Sequence, residues 1–131
     1  MVQPDAVSFD VEQVQNVLVI TPLHDMNWRD EFQRLADTQS IVIAAARMLA
    51  KDEVRYVLLD LKKTTYFGSV AVSFLSDLWK TTRASNAGFS LAGCSPVHSH
   101  ALRLLQLDKI WRIDPSREEA LSVITQQHQR L

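Results

Sequence analysis

The segment Val54–Ser85, VRYVLLDLKKTTYFGSVAVSFLSDLWKTTRAS, constrains the fold of this chain more than any other. Its apolar run, Val57–Leu59 followed by Leu61, gives way to a short polar loop and the aromatic pair Tyr66–Phe67. Gly68 and Ser69 come next, and then Ala71, Phe74, Leu75, Leu78 and Thr82 recur at helical spacing. A buried strand therefore delivers Gly68–Ser69 to the mouth of a helix. Such a mouth carries backbone N–H groups without intrahelical acceptors and the positive end of the helix dipole. It suits a hydroxyl cap, an anion or a phosphate, and the residues alone leave the three open.

The flanking segments supply the rest of an α/β pattern. Val7, Phe9 and Val11 alternate with Ser8, Asp10 and Glu12, the period of a strand with one wet face. Val17–Ile20 reads as a second strand stopped by Pro22, and the pair forms a hairpin near a sheet edge. Pro22–Asp37, with Trp28 and Phe32 among many charges, is compatible with a loop or a short helix. From Thr38 to Lys51 the spacing of Val42, Ala46 and Leu49 predicts a helix, with alanines between them. Val54–Leu61 is the most apolar strand and belongs at the centre of the sheet.

Further helices are expected over Ser69–Asn86, Pro96–Gln106 and Ser116–Gln127. The first stops at Asn86–Gly88, the second opens on Ser95–Pro96, and the third carries Glu118 and Glu119 in its first turn. Leu102, Leu105 and Ala101 form the apolar side of the second, and Ala120, Leu121 and Ile124 that of the third. Phe89, Leu91 and Gly93 alternate as a strand, and Trp111–Ile113 reads as a short edge strand. This order predicts one α/β domain over residues 1–131, with its core at about 7–125. It has a single mixed sheet, an N-terminal hairpin, parallel strands joined by right-handed helical crossovers, and about four helices.

Several function classes are excluded by composition. Lys and Arg total 14 against 15 Asp and Glu, so there is no basic surplus to neutralise nucleic-acid phosphates. The longest apolar run, Ile41–Ala46, falls far short of the roughly 20 residues that span a bilayer. The opening MVQPDAVSFD has no basic stretch followed by an apolar core, so no secretory signal is read there. Cys94 is the one cysteine, which precludes an intrachain disulfide and fits a reducing compartment. A cytoplasmic protein is expected.

The ordered set of motifs resembles the STAS domain family, the fold of anti-sigma factor antagonists. VRYVLLDLKKTTYF is similar to the family's apolar strand, Asp, short loop and aromatic. FGSVAVSFLSDLWKTTRASNAGFSLAG is similar to its serine-bearing turn, helix and following strand, and SPVHSHALRLLQLDKIWRIDPSREEAL to its closing elements. The resemblance implies a binding switch. A partner that is both anti-sigma factor and serine kinase phosphorylates a serine at the start of the second crossover helix, and only the unmodified form binds that partner. By position the serine is Ser69. The family usually has Asp immediately before it and Ser-Gly after it, whereas here the run is Gly68–Ser69–Val70–Ala71. Trp28–Thr38 falls in a stretch several residues longer than usual.

Two readings stand at each site. Ser69 is either a phosphorylation site or a plain helix cap, a role typically worth ~1 kcal/mol. Val72 stands where a capping box needs Glu or Gln. On a helical projection, Ser69, Val72, Ser76, Trp79 and Arg83 fall on a flank outside the core arc. That flank either packs against a neighbouring helix or, with Gly68, forms a partner surface anchored by Trp79. The alternative function is a STAS-type ligand-binding or scaffold module that is never phosphorylated, with Gly68 opening space at the helix mouth. No catalytic set converges: His24–Asp25 lacks a nucleophile, and Cys94 reads as a small buried hydrophobe. His98 and His100 would project to different sides of a helix and lack further metal ligands. With three glycines there is no phosphate-cradling or dinucleotide loop. Neither cofactor, metal nor enzyme activity is expected, and the oligomeric state is not legible.

Overall fold

The strand β3 (Tyr56–Asp60) lies at the centre of the sheet in a computed structural model that describes residues 9–25, 31–65 and 68–129. Among these residues the chain forms one five-stranded sheet and four α-helices. The hairpin of β1 (Phe9–Val14) and β2 (Val17–Pro22) is antiparallel, turning at Gln15 with φ 53°. Then α1 (Glu31–Ala50), α2 (Ser69–Ala84) and α3 (Pro96–Leu104) each carry the chain to the next parallel strand. Those strands are β3, β4 (Gly88–Ala92) and β5 (Arg112–Asp114), and α4 (Arg117–Gln129) closes the chain. The spatial order β1-β2-β3-β4-β5 follows the sequence.

Alternation along the strands sorts the core onto two faces. Leu18, Ile20, Val57, Leu59 and Leu91 meet Ala45 and Leu49 of α1, Phe74, Leu75 and Leu78 of α2, and Leu102 of α3. Val17, Val19, Leu58 and Ala92 meet Ala120 and Ile124 of α4 on the other. Phe9 packs its ring 5.2 Å from that of Phe74, tying the edge hairpin to α2. At the end of β4, Gly93 adopts φ +68°, and a Cβ there would lie 2.9 Å from the Asp60 carboxylate. Both facts require glycine.

The expected class, strand order and helices are present, with local differences. The helix expected from Thr38 begins at Glu31, because the intervening residues, Leu, Ala, Gln and Arg among them, are good helix formers without a clear apolar stripe. Within α1 it is Ala45, not Ala46, that is buried. Val11 is 44% exposed although it shares the inward parity of Phe9, because it lies on the edge strand. The third crossover helix ends at Leu104, before a 3-10 turn at Leu107–Lys109, which leaves Leu105 exposed instead of inward. Val7, Trp28, Tyr66 and Phe67 lie outside the described residues, as does the side chain of Phe32.

Phe74 is 1% exposed and touches both the sheet and the hairpin. Phe74→Ala is expected to lower unfolding free energy by about 3–5 kcal/mol, read from the urea midpoint at constant m-value.

Candidate switch site at the mouth of helix α2

In a parallel sheet all strand C-termini face one end, and the loops leading into crossover helices collect there. Here that end brings together the segment after β2, the β3–α2 loop and the β4–α3 loop. Ser69 occupies the first helical position of α2 and is exposed. The cap position belongs to Gly68, in extended backbone at φ −103°, ψ −172°, which has no side chain to bond the first turn. Ser69 is therefore not the cap, and its hydroxyl is left at the surface. The first backbone bond of the helix runs from the Val72 N–H to the Gly68 carbonyl. The first turn carries no acidic residue and, among the described residues, no side-chain cap, a setting in which helix N–H groups favour an anion.

Two adjacent threonines hold the loop that leads to Ser69. Thr65 donates its backbone N–H to Asp25 Oδ1 at 2.8 Å and its hydroxyl to Oδ2 at 3.2 Å. Thr64 is buried, and its Oγ1 donates to the Leu61 carbonyl at 3.1 Å. The same oxygen stands 3.1 Å from His98 Nε2. His98, fully buried in the first turn of α3, accepts the Ser95 N–H at Nδ1, at 2.9 Å. The Ser95 hydroxyl accepts the His98 N–H in return, a reciprocal cap in which histidine takes the usual place of Glu or Gln. With Nδ1 an acceptor, the neutral ring carries its proton on Nε2 and donates to Thr64. Burial pushes the His98 pKa below its usual value, and the negative charge of Asp25 only partly opposes this.

These residues redistribute the roles expected from the sequence. Asp25 engages Thr65, while His24 is exposed. His98 is buried and His100 exposed, so the two rings part as helical geometry dictates. Among the described residues no cluster of three or more His, Cys, Asp or Glu could hold a metal. Thr64 and Thr65 carried no sequence signal. The run Ser95-Pro-Val-His98 did, since it has the spacing of a capping box with His in the third helical position.

On the flank of α2, Ser69 and Arg83 are exposed, and Val72, Ser76 and Trp79 are partly buried. Trp79 is not a free anchor. Its indole meets Trp111 edge to face at 5.9 Å, Arg83 lies 5.0 Å over the ring, and Phe89 braces Trp111 at 5.5 Å. At its Trp79 end the flank is covered by this aromatic cluster beside β5. Exposed apolar side chains lie instead on α3, at Val97, 53% exposed, and Leu104, 71% exposed.

The chain belongs to the STAS domain family, whose model matches residues 8–120. No curated protein matches it. Its fold is similar to that of the anti-sigma factor antagonist SpoIIAA in its unphosphorylated form, with TM-score 0.71 and 16% identity, covering 89% of this chain and 96% of that one. An anti-sigma factor antagonist from Mycobacterium paratuberculosis aligns with TM-score 0.71 and 19% identity over 95% of this chain and 99% of its own. An anti-sigma-factor antagonist (STAS) domain protein from Planctomyces limnophilus gives 0.68 and 22% over 89% and 97%. No helix among the described residues is long and apolar enough to cross a membrane.

Cys94, at the end of β4, is partly buried and packs against the core. Burial, and secondarily the Asp60 carboxylate, push its thiol from 9.0 up to about 11. At pH 8 its thiolate population is then about 100-fold below that of an unperturbed thiol. Alkylation by iodoacetamide should be slower by at least that factor in the native protein and recover on unfolding in urea.

Proposed function

We propose that the protein is a non-enzymatic signalling module of the cytoplasm, an anti-sigma factor antagonist that binds an anti-sigma factor with serine kinase activity. Phosphorylation of Ser69 ends that association. The observation that carries this reading is the exposed Ser69 at the first helical position, its cap role taken by Gly68. The partner surface comprises Gly68, Ser69, Val72 and Ser76, with Trp79 as a braced platform at its far end. Family membership and the likeness to antagonists of anti-sigma factors support the partner class.

The chemistry of the switch is electrostatic. A phosphoserine brings about −1.5 to −2 charges. In the free protein the group faces water and the open N–H groups of the helix mouth. Within an interface it must be desolvated, which costs several kcal/mol unless a cation opposes it. Each 1.4 kcal/mol is tenfold in affinity, so a modest mismatch suffices.

One observation favours the alternative of an unphosphorylated ligand-binding or scaffold module: Gly68 supplies no carboxylate beside the serine. The backbone there is extended and open to any residue, so Gly68→Asp is sterically permitted at the level of φ and ψ. Incubation with ATP and the cognate kinase, followed by intact mass, separates the two. The expected result is one phosphate on the wild type and none on Ser69→Ala, with the modified protein binding at least ~100-fold more weakly. Ser69→Ala should bind constitutively. An unmodified wild type sinks the switch. Phosphate uptake by Gly68→Asp alone would then identify residue 68 as the cause.

A further inference from the structure

Three bonds in series cross between loops that are far apart in sequence. The Ser95 N–H donates to His98 Nδ1, the His98 Nε2–H to Thr64 Oγ1, and the Thr64 hydroxyl to the Leu61 carbonyl. The series starts at the cap of α3 and ends at the strand exit that leads to Ser69. Every donor in it points the same way, and the direction is set by one proton on one imidazole nitrogen. We propose that His98 is a positioning residue for the Ser69 loop, tying Thr64 to the first turn of α3 in its neutral Nε2–H form and releasing it on protonation. A proton on Nδ1 would face the Ser95 N–H, donor against donor, and place a cation in a fully buried site.

Among the described residues the surrounding charges compensate only in part. From the segment after β2 the carboxylate of Asp25, which also accepts the Thr65 N–H and hydroxyl, acts on the ring and raises its pKa, but less than burial lowers it. In the β3–α2 loop Lys62 and Lys63 are exposed, and Lys62 Nζ lies 3.7 Å from Asp60. On α3 itself His100 and Arg103 are exposed. Because burial lowers the His98 pKa, the neutral form prevails at pH 7, and its contribution is complete above the ordinary value of 6.5. That contribution is lost as pH falls from there through the lowered native value. The consequence for phosphorylation rests on the switch reading of Ser69, whereas the tie itself does not.

Amide hydrogen exchange on the full chain from pH 7.5 to 5, corrected for intrinsic rates, tests the tie. The reporters are Thr64, Thr65 and Val72, with Val57–Leu59 of β3 as controls for global unfolding. In the wild type, protection at the reporters should fall at least about tenfold on acidification while the controls hold. His98→Gln keeps an acceptor for the Ser95 N–H, as in an ordinary capping box, but drops the link to Thr64. It should show the low protection throughout, without pH dependence, and with the Ser99 amide of α3 still protected. Thr64→Val should behave like His98→Gln, and Thr64→Ser like the wild type. Wild-type protection in either disruptive variant, or a flat wild-type profile, overturns the proposal. If His98→Gln does not fold, Thr64→Val and the wild-type titration decide. The expected exchange pattern without any phosphate on Ser69 would refute the switch and leave the tie standing.

Discussion

Burial of β3 on both faces is the constraint from which the rest of the architecture follows. Val57, Leu58, Leu59 and Asp60 are all fully inaccessible. Their side chains alternate, so helices are needed on both sides: α1 and α2 over Val57 and Leu59, α4 over Leu58. The strand's own N–H and C=O groups must also be satisfied on both edges, which β2 and β4 do. Both neighbours are parallel, and a parallel connection needs a crossover of a dozen or more residues. α1 and α2 fill those crossovers. Each buried Val or Leu contributes about 1.5–3 kcal/mol, against about 1–2 kcal/mol of backbone entropy per ordered residue. The surplus per residue is small, so the strand is stable only when both layers are in place.

The same constraint locates the site. Parallel strands end together, and the polar chain leaving β3 has to turn beneath neighbouring loops before α2 begins. Polar groups buried in such a turn require partners. Thr64 finds Leu61 and His98, and Thr65 finds Asp25. At Thr64 and Thr65 the loop is therefore held by directional bonds to two other connections, which has consequences for regulation. An apolar contact is insensitive to protonation, whereas a bond through an imidazole depends on which nitrogen carries hydrogen.

What could be read from the sequence follows the range of the interactions involved. β3 and α2 are legible to within two residues at their ends, because an apolar run and a 3,4-spaced stripe are local signals. The onset of α1 is not, since residues 31–37 supply propensity without a periodic apolar face. Ala45 and Ala46 are chemically identical, so only packing against the sheet fixes the phase of that helix. The helical spacing predicts Leu105 inward, but the left-handed Gln106, φ 60°, ends the α3 region and Leu105 is exposed. Trp79 fell outside the core arc of its own helix. Its covering partner, Trp111, sits immediately before β5, more than two elements away. The ties of Thr64 to His98 and Thr65 to Asp25 span 34 and 40 residues, and common residue types at such separations leave no pattern.

For the reading proposed at Ser69, the absence of a side-chain cap is a source of asymmetry between the free and bound protein. A serine, aspartate or asparagine at position 68 could satisfy a first-turn N–H from within the chain. Gly68 cannot, and the first turn has no acidic side chain to offset those donors. A phosphate arriving next to them gains from the helix dipole, an effect of about 0.3–1 kcal/mol at an exposed site. The free domain thus tolerates modification with little change in its own stability. An interface covering the same mouth carries the desolvation of the dianion, several kcal/mol in the opposite sense. Discrimination between the two forms then resides in the partner contact and not in a refolding of the domain, which is consistent with a core whose layers stabilise one another cooperatively.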